Sequence, residues 1–260
     1  EYYYEDVKQT LIRYNQADAF NLWKEGREAN LFVPEFHGRE HLNVQLWMRA
    51  LQQNDKETRI AFENETWGFN RSDNKMGYQA AFDLQYTSDL LEQKSIVKDG
   101  LEVFEQLHGY KASFFTPPNG PINNQLEKSA ASCGIKFISS PKIQKEVFGD
   151  GKIRKHFRYL GKRNTHGQIY LTRNAFFEPS STLKTDWIDA CLHDLEIAFK
   201  FKKPATISSH RVNYIGVNDP KNRSNGLVQL RQLLNKILKK WPDVEFMTSA
   251  QLGKLIVNNN

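Results

Sequence analysis

Two histidines four residues apart are the first arrangement in this 260-residue chain that can do chemistry. In His37-Gly38-Arg39-Glu40-His41 the imidazoles stand at i and i+4. That spacing puts both on one face of a helical turn, where they can grip one metal ion. The plainer alternative is a pair of structural histidines bonded to loop carbonyls. The same five residues match H-x-x-E-H, the inverted zinc-peptidase motif, with Glu40 as general base. Gly38, however, is a poor residue inside the helix that such a site requires. A third histidine, His210, follows the apolar run Ala205-Thr206-Ile207 and precedes Arg211. At a strand end it is turned outward, where an imidazole can deliver a proton to a leaving amine or alkoxide. Thr116-Pro117-Pro118-Asn119-Gly120 lies between these histidines in the chain, a turn in which Asn119 suits the left-handed position. His108, His156, His166 and His193 read as structural. No Gly-rich phosphate loop, G-x-S-x-G or C-x-x-C is present, which sets aside nucleotide, serine-hydrolase and thiol-redox chemistry.

The elements that must position these residues alternate. Apolar spacing predicts a helix from Tyr4 to about Asn30 and a short strand at Leu31–Phe36. Asn43 caps a helix through Leu51, a loop surrounds Trp67-Gly68-Phe69, and a long helix runs from Ser88 to His108. Strand Ala112–Phe115, helix Ile122–Ser132 and strand Ile135–Ser139 follow. Strands at Ile169–Leu171 and Ala175–Phe177 precede a helix at Asp186–Lys202 and a strand at Pro204–Ser209. Helix Leu227–Lys240, strand Val244–Phe246 and a last helix begun by Ser249 complete the pattern. Short strands alternating with longer helices imply parallel strands joined by right-handed crossovers, in either a closed barrel or an open doubly wound sheet. With no Pro, Gly or Ser-rich linker, residues 1–260 read as one α/β domain. In such folds chemistry sits at the carboxyl ends of strands. The runs ending at Phe36, Phe115 and Ile207 are followed by His37, Thr116 and His210, so all three project from one rim.

Composition narrows the classes. Aromatic residues make up 12% of the chain, enough to fill a core and to exclude disorder. No apolar run approaches the roughly 18 residues of a membrane span. Cys133 and Cys191 are too few for a disulfide scaffold. The formal charge is +6. From Lys142 to Arg163 there are eight basic residues against two acidic ones, so this stretch holds the entire surplus. It reads as an exposed, Gly-punctuated basic loop leading into a strand. A solvated face is the ordinary role of such a run, and an anionic partner or polymer the other. No recognition motif argues for nucleic acid, and neither a nucleic acid nor a membrane is expected as partner.

Three segments taken together resemble the polysaccharide deacetylase superfamily of carbohydrate esterases, and in particular a divergent bacterial branch. The superfamily's His-x-x-x-His metal motif matches His37-Gly38-Arg39-Glu40-His41. Its Arg-Pro-Pro-aromatic-Gly loop is similar to Thr116-Pro117-Pro118-Asn119-Gly120, with Thr116 standing where the superfamily has Arg. Its late strand ending in a catalytic His matches Thr206-Ile207-Ser208-Ser209-His210. Stretches such as Phe36–Asn43, Ser208–Asn213 and Trp241–Phe246 resemble the divergent branch.

That resemblance implies a distorted (β/α) barrel and a metal-dependent hydrolase that removes N- or O-acetyl groups from a carbohydrate. His37 and His41 would hold the divalent metal, zinc first among candidates. His210 would be the catalytic acid, and Arg39, Asn119 and Arg211 would bind substrate. The superfamily's Asp-Asp pair, which supplies the third ligand and the general base, has no counterpart in the 36 residues before His37. The barrel's first strand is therefore expected upstream of Glu1. A carbohydrate-binding relative without catalysis and a zinc peptidase using Glu40 are the alternatives, and a cytoplasmic location is slightly favoured.

Overall fold

The computed structural model describes residues 5–72 and 76–258, and its backbone is a mixed α/β array. Nine α-helices and seven strands lie among the described residues. The N-terminal part is helical: α1 (Val7–Arg13), α2 (Ala19–Glu28), α3 (Val44–Gln52) and α4 (Lys56–Glu63). Then come α5 (Leu90–His108), β1 (Phe114–Phe115), α6 (Asn124–Ser132), β2 (Phe137–Ser140), β3 (Ile143–Gly149) and β4 (Lys152–Phe157). The remainder is β5 (Ile169–Thr172), β6 (Ala175–Phe176), α7 (Trp187–Lys200), β7 (Ile207–Ser208), α8 (Pro220–Lys240) and α9 (Ser249–Asn258). Side chains that accept from orphan N–H groups start these helices where the sequence places them. Asn43 accepts from Leu46 at α3, Asp55 from Thr58 at α4, Asn123 from Gln125 at α6, and Asp186 from Ile188 and Asp189 at α7.

The central sheet has the order β1-β2-β5 and is parallel throughout, in register from Phe114↔Phe137↔Ile169 to Ser140↔Thr172. A single parallel bridge, Phe36↔Phe115, extends it on the β1 side. β6 and β7 form a second parallel pair, entered from β5 through Arg173 and Asn174. Every residue of β1, β2 and β5 is buried, as expected of parallel strands covered on both faces. Alternation sends Phe115, Ile138 and Tyr170 to one face, where α5 and α6 cover them with Ile96, Val97, Phe104 and Leu126. Phe114, Phe137, Ile169 and Leu171 point the other way and pack beneath Ile256 of α9. A further cluster joins Phe177 to Cys191 and Leu195 of α7 and to Leu233 and Ile237 of α8.

Several expectations are corrected. No closed barrel forms among the described residues. The parallel array runs in order from the Phe36 bridge through β1 and β2 to β5, β6 and β7 pair in a sheet of their own, and no described strand joins β7 to Phe36. The first helix is two helices, because Asn15 takes φ 54° and turns the chain; Tyr4, its expected start, lies outside the described residues. Leu31–Phe36 makes only the Phe36 bridge. Val244–Phe246 forms no strand, since Val244 and Trp241 pack onto the α7–α8 cluster instead. The basic loop is an antiparallel hairpin, β3–β4, with a bulge between Val147 and Gly149.

Candidate active site

Five apolar runs end on the same side of the array, and polar residues leave each end. Phe36 is followed by His37, β1 by Thr116, β5 by Arg173, β6 by Phe177-Glu178, and β7 by Ser209-His210. β1, β2 and β5 are mutually parallel, as are β6 and β7, and the carboxyl ends of such strands are where open α/β sheets place ligands.

The His37–His41 segment is not helical. Gly38 has φ 110°, in the left-handed region that a side chain resists, and a Cβ there would meet the Glu40 carbonyl at 3.0 Å. The segment is a tight turn, so the expected i, i+4 helical face is absent. The turn nonetheless brings the two rings to 5.1 Å between centroids, at 70°. His37 Nδ1 lies 2.7 Å from the Thr116 carbonyl oxygen. A carbonyl only accepts, so Nδ1 carries the proton and Nε2 keeps its lone pair. His41 Nδ1 is buried with no partner, and the ring faces Trp67 at 5.8 Å. Burial lowers the His37 pKa below the ordinary imidazole value, a shift opposed by the Thr116 bond and reinforced by His41, Arg173 and His210. Arg173 after β5 and His210 after β7 thus both belong to the positive surroundings that disfavour the His37 cation.

His210 is held differently. Its ring is largely open to solvent, yet Nδ1 donates to Glu178 Oε1 at 2.6 Å. The other Glu178 oxygen accepts from Asn213 Nδ2 at 2.8 Å and from the His210 backbone N–H at 3.3 Å. Asn213 is fully buried, and its Oδ1 accepts from the backbone N–H and Oγ of Ser180 at 3.0 and 2.7 Å. Gly226 of α8 lies against the Asn213 carbonyl oxygen so closely that any Cβ there would collide with it. The carboxylate is therefore fixed before the imidazole meets it, and His210 Nε2 faces outward, free to take or give a proton. Arg173, partly buried, donates to Ser208 Oγ at 3.1 Å; desolvation lowers its pKa, while the Glu178 charge pulls the other way.

Arg173 and Glu178 are not among the candidates the sequence singles out, although each follows an apolar run directly or by one residue. The rule that points to His37 and His210 points equally to them. Of the remaining candidates, Arg39 is occupied elsewhere: its guanidinium pairs with both oxygens of Glu40 and with Asp99 of α5. Glu40 is thereby tied up as well. Asn119 takes φ 55°, the left-handed turn position, and lines an open cleft of about 510 Å³ with Phe69, Gln79 and Asp83. Arg211 is exposed in the 3-10 turn after His210 and makes no ion pair among the described residues.

Two imidazoles with free nitrogens suit zinc in donor chemistry, and the orphaned His41 nitrogen is a group in want of a partner. Among the described residues no group of three His, Cys, Asp or Glu is placed to share an ion, so the pair alone does not make a full zinc ligand set.

A mixed α/β protein with its polar residues gathered at parallel strand ends is the class that fold and rim define. No family model matches the chain, and no curated protein matches it. Among solved structures, one from Mycobacterium smegmatis named "putative polysaccharide deacetylase" is similar at 15% identity with a TM-score of 0.40. The match covers 64% of this chain and 57% of that one, and a similarity so slight fixes neither fold nor chemistry. No helix among the described residues is long and apolar enough to cross a membrane.

Proposed function

We propose that the chain is a hydrolase of the polysaccharide deacetylase type, acting on an N- or O-acetylated carbohydrate with the aid of a divalent metal, zinc first. The observation that supports this reading is the His210–Glu178 pair standing on the same rim as the His37–His41 turn. One half is equipped to move a proton and the other to offer two imidazole lone pairs. His37 and His41 would hold the ion, which when bound polarises an acyl carbonyl and acidifies a water. His210, its Nδ1 proton fixed on Glu178, presents Nε2 to the leaving nitrogen or oxygen, and Glu178 stabilises the imidazolium when it forms. Arg173 contributes a partly buried positive charge beside the forming oxyanion, where low polarity strengthens it. Asn119 and Arg211 face the sugar from the cleft and the His210 turn, and Arg39 acts by bracing Glu40 against α5. Residues 1–260 are read as one unit, its strand arc being part of a barrel wall.

Acetate release from N-acetylated chitooligosaccharides and from O-acetylated xylan, with and without added zinc, tests this reading. Turnover that requires zinc and disappears in His210→Gln supports it. Peptide cleavage abolished by Glu40→Gln, with no acetate released, would replace it with the peptidase reading, which the non-helical turn and the Arg39–Glu40 pairing disfavour. A second reading, glycan binding without hydrolysis, draws on the two-ligand count; it predicts chelator-insensitive glycan affinity and no acetate.

A further inference from the structure

The β3–β4 hairpin carries more positive charge than its own acids can offset. Lys145 and Lys155 are directly opposed across the ladder, and like charges in that position repel. Lys142, Lys145, Lys152, Arg154, Lys155 and Arg163 are all exposed and make no ion pair with a described residue. The hairpin's two acids are engaged elsewhere: Glu146 with His156 at 2.7 Å, and Asp150 with Thr87 Oγ1 at 3.3 Å.

The hairpin is also rigid. Asn123 Nδ2 donates to the Val147 carbonyl at 2.7 Å, Thr87 Oγ1 to that of Phe148 at 2.8 Å, and the Asp150 N–H to that of Gln85 at 2.8 Å. Behind it the buried Glu127 carboxylate gathers Tyr170, Gln144 and Asn164, and Gln144 in turn accepts from Arg158.

Between the hairpin, α5 and α6 runs an open groove of about 440 Å³. Leu90, Phe148 and Ile153 give it apolar surface, while Gln125, Lys152 and Arg154 stand at its polar side. The groove is linked to the candidate active site through the chain: Asn123 and Gln125, which line it, begin α6 directly after the Thr116–Gly120 loop, whose Thr116 carbonyl holds His37.

We infer that the groove and hairpin bind a glycan bearing negative charges, seating an acidic chain beside the hydrolytic site. The inference deepens the carbohydrate reading and rests on it. Aliphatic surface takes the C–H face of a sugar ring, the amide takes its hydroxyls, and the two cations take its carboxylate or ester. A nucleic acid fits the groove less well, because bases stack on open aromatic faces and the exposed Phe157 and Tyr159 lie outside the groove's lining. The Phe148 face is covered by the Arg154 guanidinium, 5.5 Å from the ring centroid. A membrane surface is flat, and this groove is recessed.

Titration calorimetry at low salt with hexagalacturonate, neutral chitohexaose, oligouridylate and phosphatidylglycerol vesicles tests the inference. The expected result is hexagalacturonate bound at least about tenfold more tightly than chitohexaose, with that preference lost in Lys152→Glu/Arg154→Glu and weakened by salt. Lys239→Glu, an exposed reversal on α8, should leave it unchanged. Equal affinity for acidic and neutral sugars, no sugar binding at all, or tighter binding of oligouridylate or vesicles would overturn it. Acetate release measured in parallel on neutral chitohexaose separates the two claims. Turnover without the acidic preference sinks the groove alone, and the acidic preference without turnover on any acetylated sugar sinks the hydrolase reading alone.

Discussion

The two halves of the candidate site are built on opposite plans. Exposed His37 and half-buried His41 sit in a non-helical bend, one nitrogen tied to a backbone carbonyl and another left without a partner. His210 stands out in solvent, and everything behind it is satisfied, from Glu178 through Asn213 to Ser180. The contrast separates a half with an unsatisfied imidazole nitrogen from a half whose hydrogen bonds are filled. A proton-transfer group needs orientation and access, which a carboxylate anchored by a buried amide supplies. A pair of imidazoles that is to bind an ion, as proposed, needs its protons held elsewhere, which the Thr116 carbonyl arranges for His37.

If the complete half does the proton chemistry, removing its reacting group has the largest effect. His210→Gln should lower turnover about a hundredfold to ten-thousandfold with the melting temperature unchanged, since the ring is mostly exposed. Glu178→Gln keeps the shape but loses the charge that fixes the tautomer. A fall of at least about tenfold in kcat is expected, smaller than for His210→Gln, with KM little altered. Asn213→Ala should act on both levels, because it leaves Ser180 and Glu178 short of partners in a buried place. Chemical denaturation should show a loss of roughly 1–3 kcal/mol alongside reduced kcat.

The other half gives a subtler signature. His37 is disfavoured as a cation, so its folded pKa lies below the ordinary 6.5. Its contribution to stability is complete above that value and is lost as pH falls through the depressed one. Proton-detected titration of the His37 ring should give a midpoint under 6.5, and His37→Gln should make stability less sensitive to acid in that window. A His37 midpoint at or above 6.5 would remove the contrast between the halves.

What the residues alone reveal of this follows from where apolar runs stop. His37, Thr116 and His210 are legible because Phe36, Phe114-Phe115 and Ile207 precede them, and a strand end has one outward direction. Arg173 and Glu178 were equally legible by that rule, yet an isolated Arg or Glu carries none of the chemical signal of a histidine pair. The helical geometry of His37–His41 was misleading because spacing is silent about φ, and Gly38 at 110° decides it. The basic segment reads as a loop because Lys and Arg obscure alternation. Buried Gln144 and Glu146 alternate with exposed Ile143 and Lys145, a strand pattern hidden by polar inward residues. Whether the strands close on one another is the least legible matter, since closure depends on which strands find partners, and local sequence does not encode that.

The central claim is that the two halves form one site, and a double-mutant cycle on acetate release tests it most directly. His37→Ala, His210→Ala and the double variant would be compared with the wild type on the same N-acetylated oligosaccharide. Two halves of one machine predict that each single variant loses most of the activity and the double variant loses little more. Wild-type turnover in either single variant, or losses that simply multiply, would contradict the account.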